Sequence, residues 1–103
     1  MKESEIQKQC IDWLRANGFW ANKLHVGPIQ LGNGKRWAKN PLRGAPDIIA
    51  IRDAIYYGIE VKKPGGKLSN EQIRFHEEIR AKGGAVIMVV YSLEDMVNQL
   101  MGW

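Results

Sequence analysis

Gly44-Ala45-Pro46-Asp47-Ile48-Ile49-Ala50-Ile51, then Arg52-Asp53-Ala54, then Ile55-Tyr56-Tyr57-Gly58-Ile59-Glu60-Val61-Lys62 is the most informative stretch of the chain. A Gly-Ala-Pro turn delivers one carboxylate, Asp47, to the head of a short apolar strand. Arg52-Asp53 turns the chain into a second strand running from about Ile55 to Lys63, ended by Pro64-Gly65-Gly66. Side chains two apart on a strand share a face, so Glu60 and Lys62 project together and Val61 points away. If the two strands pair as a hairpin, Asp47 comes near Glu60. Two carboxylates beside an amine make a hard-cation site next to a positive charge, the equipment for hydrolysing a phosphodiester.

Outward from that centre, the apolar period of Ile6, Cys10, Trp13 and Leu14 predicts a helix over 3–17, stopped at Asn17-Gly18. Phe19 to Val26 reads as a strand, followed by a basic loop. Ser69 is a natural N-cap for a helix from Asn70 to Lys82, with Gln72 placed to complete a capping box. Gly83-Gly84 ends that helix. Ala85 to Tyr91 is almost wholly apolar and reads as a central strand covered on both faces. Ser92 caps a last helix, Leu93 to Met101. The order helix, strand, strand, strand, helix, strand, helix predicts an α/β fold with a mixed sheet flanked by helices. The 103 residues are expected to form one domain, and a composition 45% hydrophobic and 25% charged argues against disorder.

The net charge is +4 and the pI about 9.4. Its distribution is more telling. Lys23, Lys35, Arg36, Lys39 and Arg43 fall between Trp20 and Arg43 with no acid among them, in a segment that also holds Gly27, Gly32, Gly34, Trp37 and Pro41. A basic, glycine-containing loop with an aromatic suits a phosphate backbone, and equally a solvated surface. His25, inside this segment, is a candidate phosphate contact. The one cysteine, Cys10, cannot form an intrachain disulfide, which favours an intracellular setting, and its place on the apolar side of the first helix marks it as structural. No bilayer-spanning run or signal peptide is read, so no membrane role is expected. His25 and His76 lack zinc-ligand spacing, and no nucleotide-binding loop appears. His76 is read as structural.

Three further polar residues have two readings each. Asp47 alone is also an ordinary turn aspartate. Gln72 serves a capping box, and its amide is equally placed to orient a water or a metal ligand. Glu3 and Glu5 begin the first helix. Phase puts Glu3, with Gln7 one turn on, toward the apolar side and Glu5 toward solvent, so Glu3 can reach a metal site or merely favour the helix dipole.

Gly44-Ala45-Pro46-Asp47, Glu60-Val61-Lys62 and Leu68-Ser69-Asn70-Glu71-Gln72 resemble the PD-(D/E)XK nuclease superfamily, most nearly its virus-type replication-repair nuclease (VRR-NUC) branch in the small stand-alone form of phages and bacteria. Glu3-Ser4-Glu5-Ile6-Gln7 resembles that branch's opening helix. The resemblance implies a restriction-endonuclease-like αβββαβ core with a C-terminal helix, Mg²⁺ or Mn²⁺ as cofactor, DNA as substrate, and a cytoplasmic setting in a bacterium or phage-infected host. It places Asp47, Glu60 and the Val61 carbonyl on the metal and Lys62 on the water, and it adds Glu3 as the first-helix acid and Gln72 as a further polar position to the catalytic set with Asp47, Glu60 and Lys62. Lys23, His25, Lys35, Arg36, Lys39, Arg43 and Lys63 are the candidate DNA contacts. Small relatives resemble Holliday-junction resolvases and often act as homodimers, so branched DNA and a twofold dimer are expected. Trp20, Trp37, Tyr56, Tyr57 and Trp103 are aromatics that one small core need not cover. A monomeric nickase or flap nuclease, a non-catalytic DNA-binding module and an interaction domain with a structural acid cluster are the competing readings.

Overall fold

The computed structural model describes residues 1–102. The elements in order are α1 (Glu3–Ala16), β1 (Trp20–Lys23), β2 (Ile29–Leu31), β3 (Arg36–Ala38), β4 (Ile48–Arg52), β5 (Ile55–Val61), α2 (Asn70–Lys82), β6 (Ala85–Val90) and α3 (Leu93–Met101). Four strands form a mixed sheet in the order β1-β4-β5-β6, with β5 and β6 parallel and the other pairs antiparallel. The α/β architecture and the C-terminal helix match the expectation from sequence.

Strand alternation sorts the two faces. Ile48, Ala50, Ile59, Val61, Met88 and Val90 point into one core, closed by Ile6, Cys10 and Leu14 of α1 and Met96 of α3. Burial of this apolar set is the main source of stability. Burial, with the charge of Asp95, pushes the Cys10 thiol up to about 11, so it is an inert packing residue. Glu60, between Ile59 and Val61, faces the opposite side, where α2 lies: His76 of α2 meets its carboxyl. No helix among the described residues is long and apolar enough to cross a membrane.

Three expectations are corrected. The apolar strand Ala85–Val90 is not central but an edge, paired only with β5. It is apolar because α2 and α3 cover its two faces. The strand expected over Phe19 to Val26 stops at Lys23, and the basic loop contains an antiparallel hairpin, β2–β3, that forms a separate two-stranded sheet. Strands of three residues around Gly32-Asn33-Gly34 carry too little alternation to be read. Tyr57 is not a surplus aromatic either: it meets Phe19 edge-on, ring centroids 5.5 Å apart. Trp103 lies outside the described residues.

Candidate active site

The β4–β5 register sets the site. Ile48 stands opposite Ile59, which carries Asp47 and Glu60 to the same end of the hairpin. Asp47 is tied on both sides. Its carbonyl accepts from the Leu24 N–H (2.8 Å) and its Oδ2 from the Val61 N–H (2.8 Å). The Val61 peptide therefore lies against the Asp47 carboxylate. Lys62 follows on the Glu60 face, its own N–H bound to the Val90 carbonyl at 2.9 Å.

Two glycines make this approach feasible. Gly44 sits at φ +92°, and a Cβ there would meet the Glu71 carbonyl oxygen at 2.7 Å. The Gly-Ala-Pro turn thus rests directly on the first turn of α2. At Gly58 a Cβ would meet Ile87 at 2.8 Å and Pro46 at 2.9 Å, so Pro46 closes over bare β5 backbone.

Glu60 is 1% exposed. Gln72 Nε2 donates to its Oε2 (3.3 Å), and His76 Nε2 stands 3.2 Å from its Oε1. Burial first, then the hydrogen bond and charge of Asp47, raise Glu60 to about 9, against a smaller opposing pull from Lys62. Burial also lowers His76. Both groups are thus driven to their neutral forms, and their contact is a hydrogen bond rather than an ion pair despite its salt-bridge distance. His76 Nδ1 is buried without a partner. Among the described residues no cluster of three or more His, Cys, Asp or Glu side chains is poised to hold a metal. A small hard cation that takes one or two carboxylates, main-chain oxygen and water still fits this pair.

The sequence-derived candidates fall into three sets. Asp47, Glu60, Val61, Lys62 and Gln72 converge. Gln72 makes the capping contact read for it, its Oε1 accepting from the Ser69 N–H (2.8 Å), while its amide nitrogen reaches Glu60. Glu3 stands at the rim, its Oε2 accepting from the Lys63 N–H at 3.2 Å, and its charge adds to the upward push on Glu60. Glu5 points away and accepts from the Lys2 N–H. Lys23, His25, Lys35, Arg36, Lys39 and Lys63 are exposed. Arg43 is exposed, its Nε paired with Glu71 Oε2 at 2.8 Å. That pair borders a cleft of about 560 Å³ that also takes in Lys39 and Arg74. His76, read as structural, is the contact the sequence missed. A lone histidine on a weakly apolar helix face gives no sign of the strand it will meet.

A solved structure described as a VRR-NUC domain superposes on this chain with a TM-score of 0.67 and 26% identity, covering 97% of this chain and 94% of that one. The chain has the fold of a VRR-NUC domain. The likeness is one of shape, since no protein-family model and no curated protein matches the sequence. Coverage of nearly the whole of both chains means that the VRR-NUC likeness includes the Asp47–Glu60 hairpin and the helix that meets it.

Proposed function

We propose that the protein is a Mg²⁺- or Mn²⁺-dependent DNA endonuclease selective for branched DNA. The observation that carries this is the buried Glu60 beside Asp47, with Lys62 on the same strand face. Asp47, Glu60 and the Val61 carbonyl would hold the cation, and all-oxygen donors suit magnesium or manganese better than zinc. When bound, the cation supplies neutralising charge at the scissile phosphate and acidifies water. Lys62 orients the attacking water and stabilises the negative charge that grows on the phosphoryl oxygens. Gln72 and His76 hold the Glu60 carboxyl in place. The exposed basic residues from Lys23 to Lys39 attract the backbone without reading bases, which favours selection by DNA structure over sequence.

The test is cleavage of duplex, flap, splayed-arm and four-way substrates with Mg²⁺ or Mn²⁺. Asp47→Asn and Glu60→Gln should abolish cleavage and preserve binding. Lys62→Ala should cost on the order of a hundredfold in rate. Lys63→Ala, on the other face, should mainly weaken binding. Near-normal turnover by Asp47→Asn or Glu60→Gln would remove the assignment.

The same reading includes a twofold homodimer, because resolving a four-way junction takes two opposed cuts. A row crosses the sheet on the α2 side, with exposed Trp20 opposite half-buried Ile51 and Ile51 opposite exposed Tyr56. Trp20 is 56% and Tyr56 51% exposed, a surplus that supports self-association. Light scattering at micromolar concentration should give twice 11.7 kDa. A monomer mass with four-way cleavage intact would reject the dimer.

A further inference from the structure

The β2–β3 hairpin stands apart from the rest of the molecule. It pairs with no strand of the main sheet and packs on no other helix or strand among the described residues. Yet its base is firmly held. Asn40, 6% exposed, donates through Nδ2 to the carbonyls of His25 (2.8 Å) and Gly27 (3.0 Å), and its Oδ1 accepts from the Leu42 N–H. One end of the arm leaves β1 at Leu24, which is bonded to the Asp47 carbonyl. The other returns through Asn40 and Leu42 to the turn that delivers Asp47. The tip is stiffened by Gln30 Nε2 donating to the Gly34 carbonyl and by the Gly34 N–H bound to the Leu31 carbonyl. The result is a braced arm rooted at the acid pair.

Its surface is unusual. Trp37 is 63% exposed, and Leu31 and Ile29 are 39% and 37% exposed. Trp37 makes no aromatic pair among the described residues; across the ladder it faces Gln30. Lys35 and Lys39 stand two residues before and after it, Arg36 points to the other face of the strand, and no acid lies between Trp20 and Asp47. A bare indole set among cations alone fits a polyanion that also offers flat π-faces.

We propose that this hairpin senses the branch: Trp37 stacks on an unpaired base at a DNA discontinuity while Lys35 and Lys39 hold the flanking phosphates. In a continuous duplex the bases are stacked on one another and offer Trp37 nothing, so the arm discriminates by structure. The proposal rests on the reading of the Asp47 site as a DNA nuclease.

The test uses the full chain in the Asp47→Asn background, without cleavage. A splayed-arm DNA carries 2-aminopurine at its first unpaired position, and a blunt duplex of equal length is the comparison. The Trp37-containing protein should quench the 2-aminopurine. Trp37→Ala should lose the quench and bind the splayed arm about tenfold more weakly, with a much smaller loss on duplex. Trp37→Phe should restore part of both. Equal losses on the two DNAs, or an unchanged quench in Trp37→Ala, would overturn the assignment, as would a fall from dimer to monomer accompanied by equal losses. Cleavage by wild-type protein together with a silent Trp37→Ala defeats the arm alone. Failure of wild-type protein to bind or cut any DNA defeats the nuclease reading and the arm with it.

Discussion

Glu60 occupies a position that an ionised carboxylate tolerates poorly: 1% exposed, beside a second acid, with a neutral histidine rather than a cation at its outer oxygen. What keeps the carboxyl oriented is therefore hydrogen bonding from Gln72 and His76, and this makes His76 a positioning residue. His76→Leu should reduce Mg²⁺ affinity about tenfold, as loss of a partner behind a ligand commonly does, and shift the pH profile of cleavage. His76→Gln, which keeps a polar contact, should stay within a few-fold of wild type; isothermal titration with Mg²⁺ reads both. The two N-terminal glutamates separate at the same scale. Glu3 bonds the Lys63 N–H at the site's rim, whereas Glu5 caps its own helix. Glu3→Ala should cripple cleavage, and Glu5→Ala should be nearly silent in activity; a larger activity loss at Glu5 would reverse the assignment.

At the scale of elements, the β4–β5 hairpin is the part on which the site depends, and its turn is strained. Asp53 and Ala54 sit at φ 52° and 64°, the left-handed region on both central positions. That conformation suits Asn-Gly or Asp-Gly pairs and penalises alanine by about 1–2 kcal/mol. Ala54→Gly should therefore stabilise the protein by roughly 0.5–1 kcal/mol, after allowing for glycine's greater unfolded entropy. Urea unfolding should show the midpoint rise with an unchanged slope. At the other end of the hairpin, glycine is required for space: Gly44 and Gly58 bring the Asp47 turn onto α2 and β5. The apolar strand β6 shows how an element's composition can mislead. Helices on both faces demand apolar side chains whether or not a second strand lies beyond, so its edge position leaves no local trace.

For the whole molecule, the acid pair links stability to pH and to the cation. Glu60 is raised from 4.5 to about 9, chiefly by burial and then by Asp47. Between those values the cation-free folded protein keeps a proton that the unfolded chain has released. Its stabilising effect is complete below about 4.5 and is lost as pH rises toward 9. His76 is lowered from 6.5, so its own linkage lies at lower pH and leaves the neutral-to-alkaline range to Glu60. Thermal melts in chelator should therefore show a falling midpoint from about pH 7 to about pH 9. Saturating Mg²⁺ should flatten the slope by holding Glu60 ionised, and Glu60→Gln should abolish it. A flat chelator curve for the wild-type protein would contradict the burial of Glu60 beside Asp47.

Residue order alone settles what neighbours along the chain arrange among themselves. Alternation put Glu60 and Lys62 on one face, helix phase separated Glu3 from Glu5, and Ser69, Gln72 and Ser92 marked helix starts by local hydrogen bonds. The hairpin that unites Asp47 with Glu60 was legible because its two strands are adjacent in the chain. What depends on packing across long separations came from the folded layers. It put β6 at an edge, paired Arg43 with Glu71, and carried His76 from α2 onto Glu60. It also raised β2–β3 from a basic loop into a braced arm, through a buried Asn40 whose partners lie on the far side of the hairpin. Local patterns report the face a residue turns to; which residue waits there is set by how the layers close on one another.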